Sequence, residues 1–131
     1  MSSDSRPPST YVAIIGEHPA TIDGLQGYLA SAGLTSRVTR ALGDANAVVA
    51  AASAVVIFPD EFAVPEVVST ITALRAARPR RLILLVTGAP QRFGAALTAD
   101  GESLPPVVVP KPAFGWTILD AIRAHASEEA T

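Results

Sequence analysis

Four short runs of branched apolar residues, each stopped by a glycine or a proline, alternate with stretches whose apolar residues recur at helical spacing. This alternation constrains the fold more than any single motif. Runs of three to six residues, almost wholly apolar and bounded by turn signals, fit strands buried on both faces. Tyr11-Val12-Ala13-Ile14-Ile15 ends at Gly16, Ala54-Val55-Val56-Ile57-Phe58 at Pro59, 82–87 at Gly88, and Val107-Val108-Val109 at Pro110. A weaker, more polar strand is expected at 35–40, where it would form an edge. Between the strands, Ile22, Leu25, Leu29 and Ala32 predict a helix over 20–32, with Gly33 as its stop. A short alanine-rich helix is expected over 45–52, with Asp44 as its N-cap. Val64, Val67, Val68, Ile71 and Leu74 mark a third helix that ends at Pro79. A short fourth is expected over 91–97, and Ile118, Leu119 and Ile122 mark the last, over 114–126.

Strand and helix in alternation imply an α/β fold: a doubly wound parallel sheet with right-handed crossovers and helices on both faces. At 131 residues the chain holds one domain, expected over 10–126, after a disordered segment 1–9 and before a polar tail 127–131. The strand order expected at this size is the flavodoxin-like 2-1-3-4-5. In such sheets the site lies beyond the carboxyl ends of the strands, at the switch point. The strand ends that meet there carry Glu17, Pro59, Asp60, Thr87 and Lys111.

Composition narrows the chemistry. Hydrophobic residues make up 49%, which excludes a chiefly disordered chain, and the net charge of −2 gives no overall attraction to nucleic acid or anionic lipid. Arg75, Arg78, Arg80 and Arg81 form a local basic cluster, read as a solvated helix end and loop. There is no cysteine, so disulfides, thiolate metal sites and cysteine nucleophiles are excluded. No apolar run is long enough to cross a bilayer, and the first nine residues lack the apolar core of a signal peptide. A soluble cytoplasmic protein is expected.

With these residues placed, the chain resembles the receiver domain of bacterial response regulators over about 11–126. The first strand and helix are most similar to the subgroup found before LuxR-type DNA-binding domains. That subgroup has two acidic residues, then His-Pro, then a helix with Gly-Leu; here the residues are Gly16-Glu17-His18-Pro19 and Gly24-Leu25. Thr87-Gly88 and Lys111-Pro112 match the family's residues after the fourth and fifth strands. The resemblance implies phosphoryl transfer from a phosphohistidine to an aspartate after the third strand. In it, Mg²⁺ is held by an acidic pair, and the Lys and Thr contact the phosphoryl oxygens. A carboxylate attacking a phosphoryl group needs such charge neutralisation.

The departures from that pattern carry the functional expectation. The phosphoacceptor position falls on Pro59, which has no nucleophile. The first acidic position is Gly16, and the aromatic switch position of the fifth strand is Val108. Asp60 lies one residue late, and successive strand residues point to opposite faces, so a slip misdirects it unless the strand has already ended. Glu17 is expected to pair with Lys111, Thr87 to bond backbone, His18 to serve the turn, and His125 to lie solvated on the last helix.

The resulting expectation is a stand-alone pseudo-receiver, not an enzyme, that acts by protein–protein binding. No cofactor and no metal are expected. Its partners would be signalling proteins, a histidine kinase or a downstream effector, or a second copy in a homodimer. The expected interaction face is Val107, Val108, Val109, Phe114 and Trp116, since aromatic residues are enriched at interfaces. With no DNA-binding segment following, direct transcriptional control is not expected. The alternative is a working phosphoacceptor of a two-component phosphorelay that uses Asp60 and Glu17 with Mg²⁺. A flavin-binding domain is disfavoured, because the loop after the first strand offers a carboxylate instead of a glycine-rich phosphate cradle.

Overall fold

A computed structural model of the chain describes residues 11–45, 49–97, 104–111 and 115–130. The expectations for 1–9, for the middle of the second helix, for the loop at 99–102, and for Pro112 and Phe114 lie outside these residues, as does the Asp44 side chain.

Five strands form one parallel sheet in the order β2-β1-β3-β4-β5. They are β1 (Val12–Ile15), β2 (Ser36–Thr39), β3 (Ala54–Ile57), β4 (Leu82–Thr87) and β5 (Val107–Pro110). Three α-helices are described: α1 (Pro19–Ser31), α2 (Val64–Ala77) and α3 (Gly115–Ala130). Three 3₁₀ segments stand at Leu42–Asp44, Pro59–Glu61 and Pro90–Ala96. The flavodoxin-like order inferred from the alternation is the observed one.

Each central strand alternates between two cores, which is why these runs read as apolar without a break. Val12, Ile14, Val56, Leu84 and Val86 face α1 and α3, where they meet Leu25, Leu29, Ile118 and Ile122. Ala13, Ile15, Val55, Ile57 and Leu85 face the other way, onto Val67, Ile71 and Leu74 of α2 and onto Phe93. Each fully buried Ile or Leu contributes about 1.5–3 kcal/mol relative to an exposed one. The helix α1 stops at Gly33, whose φ of +86° is open to glycine without strain. The N–H groups of Gly33 and Leu34 then close the helix onto Ala30 and Leu29 carbonyls at 3.0 and 2.9 Å.

Several boundaries differ from the sequence reading. The fourth helix is a 3₁₀ segment, bent at Phe93 (φ −112°, ψ 21°), whose ring fills the core instead of an exposed helix face. The last helix begins at Gly115 and runs to Ala130. The basic cluster is not wholly solvated: Arg75 and Arg81 are buried. Their guanidinium groups donate to the carbonyls of Ala96 (3.3 Å) and Val49 (3.2 Å), tying α2 and the start of β4 to neighbouring segments. Burial and the adjacent Arg78 push the Arg81 pKa down, with Tyr11 acting in the opposite sense.

Candidate functional site

β3 ends at Ile57, and Pro59 starts a 3₁₀ turn instead of a further strand residue. The ring fixes φ and removes a donor, so the chain turns at the sheet edge. The turn closes with the Phe62 N–H on the Pro59 carbonyl at 3.1 Å. Because the strand has already ended, its alternation does not govern Asp60. The carboxylate turns toward β4 and β5.

Three donors converge on it. The Thr87 hydroxyl lies 2.6 Å from Oδ1, the Gly88 N–H 3.0 Å from Oδ2, and Lys111 Nζ 3.3 Å from Oδ2. Thr87 is fully buried, and its oxygen accepts the Ala89 N–H at 3.0 Å, which leaves its hydrogen to point at Asp60. Burial alone would raise the Asp60 pKa. The Thr87 hydroxyl, the Gly88 N–H and Lys111 outweigh it and hold the carboxyl below its usual range.

The next residue turns the opposite way. Glu61 sends its carboxylate to the loop after β1, where Oε1 accepts the backbone N–H groups of Glu17 and His18, the latter at 3.2 Å. These N–H groups stand at the start of α1, whose N-cap residue, His18, makes no side-chain cap of its own. Glu61 therefore supplies the missing acceptor, and its charge, at the positive end of the helix. Gly16 makes room for it: a Cβ there would come 3.1 Å from Phe58 Cδ2 and 3.3 Å from Glu61 Oε1. An acid at position 16 and the inward Glu61 carboxylate thus compete for one space.

The pairing expected between Glu17 and Lys111 does not form. Lys111 meets Asp60 instead, because Asp60 lies at the third-strand end next to β4 and β5. The Glu17 side chain is exposed and its carbonyl accepts from Arg40 at 3.0 Å. Thr87 bonds backbone, as expected, and also the Asp60 side chain. His18, placed in the turn as expected, has Nε2 3.8 Å from Glu61 Oε2. The sequence marks Glu61 beside Asp60 at this sheet edge but assigns it no role; the signal for one was a second carboxylate opposite a glycine.

The donor set does not suit the Mg²⁺ that the resemblance implies. Mg²⁺ takes several oxygen ligands in near-octahedral array. Both Asp60 oxygens are turned to hydrogen-bond donors, one of them cationic, and Glu61 Oε1 is turned to two N–H groups. Among the described residues no three acidic or imidazole side chains gather as a metal site.

The expected interaction face is only partly exposed. Val107 and Trp116 are open, at 43% and 56%. Val108 is half-buried, and Val109 is buried against the core that holds Ile118 and Leu119. Val109 is therefore a packing residue, whereas Val107, on the same face of β5 two residues earlier, is left uncovered.

No protein-family model matches the chain, and no curated protein matches its sequence. Solved structures do match in shape. The signal receiver domain of an HD-domain protein from Pseudomonas fluorescens aligns with 95% of this chain and 92% of its own, at 17% identity and a TM-score of 0.73. A response regulator receiver domain from Clostridium thermocellum covers 92% of this chain and 97% of its own, at 10% identity and a TM-score of 0.76. The beryllofluoride-activated NtrC4 receiver domain dimer covers 90% and 97%, at 17% identity and a TM-score of 0.68. Among the described residues no helix is long and apolar enough to cross a membrane. Strand order, connectivity and these likenesses agree: the chain has the fold of a response-regulator receiver domain.

Proposed function

We propose that the protein is a pseudo-receiver, a signalling module that keeps the receiver fold and works by protein–protein binding without aspartyl phosphorylation. The observation that carries this reading is the engagement of Asp60. Proline occupies the acceptor position, and the neighbouring carboxylate spends both oxygens on Thr87, Gly88 and Lys111. Attack on phosphorus needs a carboxylate oxygen aligned on the phosphoryl group, and these three donors hold the Asp60 carboxylate turned toward β4 and β5 instead. The reading includes no metal, no cofactor and no enzymatic turnover, and it places the protein in the cytoplasm. Its partners are signalling proteins, a histidine kinase or a downstream effector, or a second copy of the chain. The exposed Val107 and Trp116, on β5 and α3, supply apolar anchors for them. The receiver of NtrC4 assembles as a dimer, which supports the homodimer as one form. The LuxR-like character of the first loop rests on His18-Pro19 and Gly24-Leu25.

One observation favours a second reading, an Asp60 phosphoacceptor: Lys111 lies on Asp60 itself. Acetyl phosphate with Mg²⁺, followed by intact mass, separates the two. The pseudo-receiver gains no phosphoryl mass. A phosphoryl adduct that vanishes in Asp60→Ala overturns it. For the face, capture of a partner by the wild type and its loss in Trp116→Ala is the expected result. Equal capture by both removes Trp116 from the interface.

A further inference from the structure

We infer that the amino ends of the strands carry a second docking surface, an arginine turn that receives a short acidic segment of a partner protein. The inference goes beyond the pseudo-receiver reading and does not rest on it, since its residues lie at the end of the sheet away from Asp60.

Charge divides the fold along the strand direction. The described acidic side chains, Glu17, Asp23, Asp60, Glu61, Glu66 and Asp120, stand just past the carboxyl end of a strand or in the first two turns of a helix that starts there. The amino ends carry arginine instead: Arg37 near the start of β2, and Arg78, Arg80 and Arg81 between α2 and β4. Among the described side chains no carboxylate stands at this end of the sheet.

The chain holds these arginines in place before any partner arrives. Arg78-Pro79-Arg80-Arg81 is a tight turn, closed by the Arg81 N–H on the Arg78 carbonyl at 3.1 Å. Pro79, at its second position, presets the backbone. The Leu104 N–H donates to the Pro79 carbonyl at 2.8 Å. Buried Arg81 roots the turn through its bond to the Val49 carbonyl at 3.2 Å. Arg78 and Arg80 are left exposed on it. Across the sheet the exposed Arg37 guanidinium lies over the Tyr11 ring, 4.6 Å from its centre. Tyr11 links the two parts: burial and the Arg78 charge lower the Arg81 pKa, and Tyr11 raises it. Like charges gathered in this way repel, and an anion set against them relieves the repulsion.

The partner that suits this surface is a polypeptide bearing carboxylates. The planar fork of arginine takes a carboxylate through two parallel hydrogen bonds. Arg37, Arg78 and Arg80 match the few carboxylates of a short acidic run. They are too few for a nucleic acid, whose binding sums many phosphate contacts, or for a lipid surface, which calls for clusters of about four to eight basic residues. The net charge of −2 works against both polyanions.

The test titrates the full chain with a hexaglutamate peptide and, separately, with hexathymidylate and phosphatidylglycerol vesicles, at low salt. Hexaglutamate should bind saturably and move the amide resonances of Arg37, Arg78, Arg80 and Arg81 with one midpoint, while those of Thr87 and Gly88 stay in place. Arg37→Gln and Arg78→Gln should each weaken binding at least about three-fold, and more together. Arg40→Gln and Arg92→Gln, which remove the same charge from exposed arginines at the carboxyl ends, should leave it unchanged. Arg78→Gln alone carries the test if loss of the Tyr11 contact unfolds the Arg37 variant. Absence of saturable binding overturns the inference. So does an equal loss in the Arg40 or Arg92 variants, which would make the attraction one of net charge. Tighter binding of the oligonucleotide or the vesicles than of the peptide overturns it too, in favour of that other class. None of these failures touches the pseudo-receiver reading, and phosphorylation of Asp60 by acetyl phosphate would end that reading without touching the arginine turn.

Discussion

Asp60→Ala should cost the folded state about 2–4 kcal/mol near pH 7, and most of that difference should vanish in acid. The bond from the buried Thr87 hydroxyl, at 2.6 Å to a charged acceptor, is of the kind that contributes about 1.5–3 kcal/mol. Lys111 is partly exposed, which limits the ion pair to about 0–1 kcal/mol. The Gly88 N–H is exposed and regains water when Asp60 is lost, so it adds no more than about 1 kcal/mol. The pH dependence has a definite sign. The three donors outweigh burial and keep the folded-state pKa depressed, so the stabilisation is complete well above the unfolded value of about 3.9. It is lost as the pH falls through the folded value, where protonation removes the charge. Urea unfolding of both proteins across this range, followed by far-UV circular dichroism, measures it. The single tryptophan is 56% exposed and reports the core poorly. Asp60→Asn, which keeps an acceptor for Thr87 but not the charge, should lose about half as much. Equal stability of Asp60→Ala and wild type at neutral pH refutes the reasoning. A difference that stays constant into acid refutes it as well.

Other perturbations test the remaining contacts. Glu61→Ala should destabilise by about 1–2 kcal/mol, like loss of a helix cap, and should speed hydrogen exchange at the Glu17 and His18 amides ahead of other sites. Gly16→Asp, which restores the family's first acid, should lower stability by about 1–3 kcal/mol in thermal unfolding, because its Cβ meets Phe58 and Glu61. It should give no Mg²⁺-dependent rise in melting temperature. Arg75→Met should raise stability by about 1–2 kcal/mol in urea unfolding. Among the described residues its Nε and Nη2 atoms are buried without a hydrogen-bond partner, and one bond to Ala96 at 3.3 Å offsets little of that cost. A loss of more than 1 kcal/mol in this variant would mean that the guanidinium is better satisfied than its contacts indicate.

The strands and the sheet order were legible from residues alone, because burial on both faces demands unbroken apolar runs and short connections allow few parallel orders. Val12–Ile15, Ala54–Ile57 and Leu82–Thr87 announce themselves in this way. The order in turn brought Asp60, Thr87 and Lys111 to one edge before any distance was known. Proline at position 59 was equally legible as a missing nucleophile, since no fold can give it one. What the chain could not reveal on its own was the direction of two adjacent carboxylates. Pro59 sets the stop after Ile57 and the 3₁₀ turn that follows, but which donors await each carboxylate beyond it is a balance of tertiary contacts. That balance sent Asp60 to Lys111 and Glu61 to the amides of Glu17 and His18, where spacing alone had suggested a Glu17–Lys111 pair. Buried Arg75 and Arg81 carry the same lesson. A charged residue looks solvated in sequence, and only the packing of neighbouring segments decides whether its long apolar stem draws the charge inside.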